Sequence, residues 1–152
     1  MLSTSTYKSP FGEIGLLKED ENLLRVSFTD IAFKSLDAIN NPYEFKEVVT
    51  QLNEYFYEGR KEFEIQFTFL SSSFRSRVYR EMLKISYGTT LSYSELAAKA
   101  GNPKAFRAVG TACGLNPLPL IIPCHRVKGK SGLGGFTGGL DIKKFLLKLE
   151  SN

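Results

Sequence analysis

Residues 120–132 read LIIPCHRVKGKSG and set Cys124, one of the chain's two cysteines, beside its one histidine, His125. A cysteine attacks as its thiolate, and a free thiol titrates near ~8.5, so a reactive Cys124 needs help in losing its proton. His125 is the evident base. If the segment is extended, neighbouring side chains point to opposite faces, and a bridging water is an easier relay than direct contact. A carboxylate that fixes the imidazole tautomer would complete the arrangement. The second half of the chain offers four candidates, Glu81, Glu95, Asp141 and Glu150. The alternative is a buried cysteine acting as a small apolar group behind an apolar run. The two residues alone leave both readings open.

The rest of the chain narrows the chemistry. Two cysteines cannot build a disulfide framework, and a single histidine leaves too few soft ligands for a four-ligand zinc site. No metal is expected, and no cofactor motif appears. No apolar run is long enough to span a bilayer, and the N-terminus MLSTSTYKSP does not read as a secretory signal. The expectation is a reduced, cytoplasmic, monomeric protein without membrane contact. Charge is divided unevenly. Residues 1–70 hold 7 Lys/Arg against 12 Asp/Glu, a net of −5, whereas residues 71–152 hold 13 against 4, a net of +9. A half that basic suits a polyanion, nucleic acid first, although a solvated lysine-rich surface has the same composition.

The elements that must position Cys124 follow from the punctuation. In residues 1–70, turns at Ser9–Gly12 and Glu19–Asn22 separate strand-like runs. Asn41 and Pro42 open a helix that ends before Gly59, with Phe45, Val48, Val49, Leu52 and Phe56 on one face. FEIQFTF then reads as a further strand, giving a small antiparallel sheet with one covering helix. Beyond the Ser71–Ser73 joint, Phe74, Val78, Met82 and Ile85 define an amphipathic helix that Tyr87-Gly88 ends. Ser92 and Glu95 have capping-box spacing and open a second helix, which Gly101 stops. Asn102 and Pro103 open a third, whose apolar stripe is Ala105, Ala108, Val109, Ala112 and Cys113, with Lys104, Arg107 and Thr111 elsewhere. Two short helices joined by a tight turn form a helix-turn-helix. The small residues Ala105, Ala108, Gly110 and Ala112 would let its second helix approach another surface closely.

From Phe74 onward, GTTLSYSELAAKAGNPKAFRAVGTACGLNP, then PCHRV, then GLGGFTGGLDIKKFLLKLE resemble the O6-alkylguanine-DNA alkyltransferases. YKSPFG and QLNEYFYEGR extend a looser match through the first half. The resemblance implies an α+β chain, with a ribonuclease-H-like N-terminal domain over 1–70 and a C-terminal domain over 71–152. The latter would be mainly helical, winged-helix-like, and carry both DNA binding and the active site. The implied function is direct-reversal repair. The partner is double-stranded DNA containing O6-alkylguanine, the damaged base is flipped out, and its alkyl group moves irreversibly to Cys124 in a single turnover. O4-alkylthymine is a second candidate substrate.

The same resemblance distributes roles. Cys124 is the nucleophile, His125 its base through water, Glu150 the residue orienting His125, and Asn116 the tie in the turn after the recognition helix. Arg107 would fill the gap left by the extruded nucleotide, while Tyr93 would crowd the flanking phosphate and contact the guanine. The carbonyls of Cys124 and Val127 would accept from the guanine amino group, and the amide near Thr137 would donate to O6. Pro119, Cys113 and Phe136 would wall the pocket. Lys104, Ala105 and Gly110 would lie on the DNA face, with Lys128 and Lys130 as a phosphate-contacting wing. Phe136 replaces a frequent Tyr and loses its phenol, Tyr79 replaces a frequent Trp, and Arg126 is expected as a structural ion-pair partner. Two rivals stand beside this reading: a non-catalytic lesion sensor, which would lack the cysteine, and a cysteine hydrolase, which would need an oxyanion hole.

Overall fold

The computed structural model describes residues 1–29, 33, 36–129, 132–136 and 138–151. The chain is α+β and divides into two compact units, Met1–Phe69 and Leu70–Asn152.

In the first unit, β1 (Leu2–Ser9), β2 (Gly12–Glu19) and β3 (Asn22–Ser27) form an antiparallel meander. A two-residue strand, β4 (Ile39–Asn40), adds to the other side of β1 in parallel, so the order is β3-β2-β1-β4 and the sheet is mixed. A 3-10 turn at Pro42–Phe45 leads into helix α1 (Lys46–Tyr57). Asn41 makes no side-chain cap there. The apolar face of α1 is buried through Val48, Leu52, Tyr55 and Phe56, and Phe45 precedes it into the core. Tyr7 joins sheet to helix twice: its ring stacks on Phe56 and its hydroxyl donates to Asn53 Oδ1 at 2.7 Å. FEIQFTF does not become a strand. Its ladder contact is one bridge, Leu23 to Phe67, and its backbone is also held by Gln51, which both donates to and accepts from Glu64.

In the second unit, α2 (Ser73–Met82) is capped by the Ser72 hydroxyl, and its Val78, Tyr79 and Met82 are buried. It is shorter than the apolar period to Ile85 suggests, because the chain turns after Leu83. Strand β5 (Leu91–Ser92) enters α3 (Tyr93–Lys99) through a complete capping box: Ser92 accepts from the Glu95 amide and Glu95 accepts from the Ser92 amide. Helix α4 (Phe106–Gly114) begins later than the Asn-Pro signal suggests. Asn102 Oδ1 takes the Lys104 amide and the Asn102 carbonyl takes that of Ala105, closing a separate turn before the helix.

Helix C-termini leave carbonyls without intrahelical partners, and α2 supplies two of them with donors. Arg77 Nε donates to Ala100 O just past α3, and the buried Tyr79 hydroxyl donates to Ala112 O near the end of α4. Strand β6 (Val127–Lys128) pairs in parallel with β5, and α5 (Leu140–Glu150) closes the unit.

Candidate active site

Between α4 and β6 the chain makes a buried, hydrogen-bonded loop that ends in Cys124. Asn116 organises it: Oδ1 accepts from the Leu118 amide at 2.9 Å and Nδ2 donates to Ile122 O at 2.8 Å. The Ile122 carbonyl also accepts from the Cys124 amide at 2.8 Å, so Asn116 and Cys124 meet at one oxygen. Within this loop Leu120 sits at φ +79°, a left-handed conformation that a γ-branched side chain adopts at a cost of about 1–3 kcal/mol. Cys124 does not lie in an extended segment, as adjacency with His125 first suggested. Cys124–Arg126 is a 3-10 turn, and all three of its side chains are buried.

Glu150 is the partner of that turn. Glu150 is 4% exposed, so its carboxylate depends on its donors. His125 Nε2 lies 2.7 Å from Oε2, and Arg126 grips both oxygens, Nε to Oε1 at 2.8 Å and Nη2 to Oε2 at 3.0 Å. Arg126 also donates to Ile85 O and lies over the Tyr87 ring, which makes it the structural partner expected from the sequence. The Gly88 amide approaches Oε1 as well, and a side chain at Gly88 would press on the Glu150 backbone at 3.1 Å.

A carboxylate held ionised by arginine only accepts, so His125 Nε2 must carry the proton in this pair and Nδ1 the lone pair. Nδ1 is buried, and among the described residues no group hydrogen-bonds to it. Burial holds the imidazole below its ordinary pKa, against the pull of Glu150, and so keeps it neutral. The ring is thus a base with an uncommitted acceptor. Phe136 meets it edge-on, centroids 6.5 Å apart.

Cys124 is fully buried, and burial pushes its thiol up to about 11; a hydrogen bond from Asn116 and the charge of Lys143 oppose this. The resting sulfur is therefore a neutral thiol at neutral pH. Cys113, inside α4 and 1% exposed, is raised still further, to about 12, with burial the main cause.

Lys143 is the participant that sequence reasoning missed. It is fully buried in α5, and its ammonium donates to Val127 O at 2.6 Å, to Gly135 O at 3.1 Å and to Leu133 O. Three N–H donors meet three carbonyls, and burial still draws its pKa below the usual lysine range. The signal was present in the spacing. Lys143, Leu146 and Glu150 fall at i, i+3 and i+7, on the stripe that α5 buries. Lys143 thereby ties β6 to the loop over residues 133–135. Tyr93, half-buried at the start of α3, holds the same loop by accepting the Gly135 amide at 3.1 Å. Gly134 stands at φ +74°, and a Cβ there would lie 2.1 Å from the Tyr93 oxygen.

The remaining expected site residues divide by exposure. Pro119 and Val127 are buried. The Cys124 carbonyl accepts from the Val127 amide, and the Val127 carbonyl accepts from Lys143. Arg107, Lys104 and Lys128 are exposed, and Ala105 and Gly110 are partly so. Ala108 departs from the apolar stripe: it is exposed beside Arg107 on the outer face of α4, because only Val109, Ala112 and Cys113 point inward. Thr137 and Lys130 lie outside the described residues. Among the described residues no cluster of His, Cys, Asp or Glu could hold a metal, and no helix is long and apolar enough to cross a membrane.

Comparison with known proteins places this geometry. Residues 73–152 match the family model described as 6-O-methylguanine DNA methyltransferase, DNA binding domain, and residues 2–69 match the ribonuclease-like domain of the same family. A methylated-DNA–protein-cysteine methyltransferase of Metallosphaera sedula is 39% identical over 153 residues, covering 100% of this chain and 95% of its own. The crystal structure of Mycobacterium tuberculosis O6-methylguanine methyltransferase superposes with a TM-score of 0.92 at 38% identity, covering 99% of this chain and 93% of that one. A structure of Mycobacterium tuberculosis OGT in complex with DNA gives the same TM-score at 38% identity, over 98% and 92%.

Proposed function

Because the chain belongs to the 6-O-methylguanine DNA methyltransferase family, we propose that it repairs O6-alkylguanine in duplex DNA by taking the alkyl group onto Cys124. The observation that carries the reading is the Cys124–His125–Glu150 arrangement, with Nδ1 of a neutral imidazole left open as a proton acceptor. The Cys124 proton passes to His125, relayed by a water. The thiolate attacks the alkyl carbon in line, the S–C bond forms as the C–O6 bond breaks, and the electron pair returns to the guanine ring. The proton held on His125 neutralises the departing base, so the site ends with a thioether, a neutral imidazole and an unmodified guanine.

The resting thiol at about 11 gives this sequence a purpose. With burial holding the thiol up, its deprotonation falls to His125 as the sulfur attacks. Lys143 lies near enough to favour the thiolate, and its three backbone bonds hold the pocket loop while the base enters. Extrusion of a damaged guanine costs a few kcal/mol. Arg107, exposed on α4, would occupy the gap, and Tyr93 would meet the base. Pro119, Cys113 and Phe136 wall the pocket, and the Cys124 and Val127 carbonyls face the guanine amino group. Lys104, Ala105, Gly110 and Lys128 accompany Arg107 against the phosphates and the groove.

A thioether is not reversed by thiol exchange, so the protein acts once. A cytoplasmic setting, where both free thiols stay reduced, suits it. The test is stoichiometry. With an excess of duplex carrying isotope-labelled O6-methylguanine, transfer saturates at one label per protein and vanishes in Cys124→Ala. Continued turnover, as a cysteine hydrolase would give, or DNA binding without transfer, as a sensor would give, contradicts the reading.

A further inference from the structure

Beside the pocket, α4 opens with an aromatic side chain in an unusual position for one. Phe106, the first residue of the helix, is 45% exposed although it is among the most apolar residues of the unit. Its ring forms one wall of a groove of about 270 Å³ whose other lining residues are Ser92, Tyr93, Ser94 and Gly129. That volume lies below the roughly 300–1,000 Å³ of pockets that enclose whole drug-sized ligands, and suits one ring with its sugar. The lining has the chemistry of a nucleotide site: an aromatic face for a base, three hydroxyls for sugar or phosphate oxygens, and a glycine that admits close approach. The surroundings carry charge of the right sign, with Arg107 next to Phe106 in sequence, Lys104 two residues before it and Lys128 preceding Gly129, all exposed.

Resting on the DNA-repair reading above, we propose that this groove receives the nucleotide flanking the extruded guanine, and that Phe106 stacks on its base. Arg107 and Phe106 are consecutive, so the residue that fills the gap and the residue that braces its neighbour start the same helix. Stacking of a base on an aromatic side chain tolerates every sequence, because each base has a π-face. The groove therefore adds affinity beside the lesion without restricting the sequences repaired.

The test crosses a protein change with a DNA change. Affinity for an O6-methylguanine duplex is measured for the full chain and for Phe106→Ala, Phe106→Leu and Phe106→Trp. Each is also measured on duplexes in which one nucleotide flanking the lesion is abasic. Loss of one base–aromatic stack weakens binding by roughly 5- to 150-fold. Phe106→Ala and Phe106→Leu should fall in that range and Phe106→Trp should keep the original affinity. The abasic substitution at one flanking position should cost the unaltered protein the same factor and cost Phe106→Ala little more, a non-additivity that a general loss of folding does not produce. Methyl transfer from free O6-methylguanine base should be the same in all four proteins. Additive losses at every flanking position, or Phe106→Leu binding as well as Phe106, overturns the stack. A failure of the unaltered protein to accept methyl from either substrate instead removes the repair reading beneath it.

Discussion

At the scale of single residues, the site works through a base and an acid that are both neutral at rest. His125 owes its neutrality to burial and its orientation to Glu150, and the two contributions separate by mutation. Positioned general bases contribute about 10²–10⁴-fold, so His125→Ala should slow single-turnover transfer within that range. Glu150→Gln should slow it by about 10²-fold. It should also lower stability by about 3 kcal/mol, because Arg126 and its bidentate partner are both buried and removing one charge strands the other. Quench-flow transfer rates and thermal melting check the two effects independently. An Arg126→Met, Glu150→Gln pair that regains stability but not rate would separate the ion pair's structural role from the orienting one. Cys124, His125 and the short list containing Glu150 were legible in the sequence because adjacency and scarcity of acids single them out, whereas Asn116 came from the family resemblance. Lys143 was not legible, because a lysine among three in an eleven-residue helix reads as solvated until the i, i+3, i+7 stripe is traced through it.

At the scale of elements, the pocket loop is held from two sides, by Lys143 in α5 and by Tyr93 in α3. Lys143→Met would leave three carbonyls without their donor, at roughly 1–3 kcal/mol for each that stays buried. The expected outcome is a melting temperature lowered by several degrees, with faster amide hydrogen exchange over residues 132–136. Gly134→Ala places a methyl on the Tyr93 hydroxyl and on a backbone angle that alanine avoids. It should destabilise by more than 1 kcal/mol and slow transfer, whereas Gly132→Ala, which meets open space, should do neither. The start of α3 was readable from capping residues, since Ser92 and Glu95 form the box their spacing announces. The start of α4 was not, because Asn102 spends its side chain on a turn of its own. FEIQFTF misled for a related reason. Its alternation is real, and Phe63, Ile65, Phe67 and Phe69 are each partly buried. A strand also needs a neighbouring edge along its length, and β3 offers it one residue, Leu23.

At the scale of the whole chain, the two halves differ in charge as they differ in work, and the two buried thiols tie stability to pH. Both thiols have folded pKa values raised above the ordinary thiol range, to about 11 for Cys124 and about 12 for Cys113. Above pH 9 the unfolded chain releases these protons while the folded chain keeps them, so stability falls as pH rises toward 11, by up to about 1.4 kcal/mol per pH unit per thiol. Melting curves of Cys124→Ala and Cys113→Ala should each show a shallower alkaline decline than the unaltered protein. On the acid side, the depressed His125 gives the opposite slope, with stability lost as pH falls below about 6.5. The fold class and the division near residue 70 followed from charge, turn chemistry and the family resemblance together. The state of the sulfur did not, because burial is set by how the Asn116 loop, α4 and α5 close around it.

The central claim is that a methyl group leaves guanine O6 and arrives on Cys124. Its most direct test is intact-protein and peptide mass spectrometry after one turnover on an O6-methylguanine duplex. The predicted result is one added methyl on the peptide containing Cys124, none on that containing Cys113, and unmodified guanine in the DNA. A protein of unchanged mass beside repaired DNA, or a methyl carried by Cys113, would contradict it.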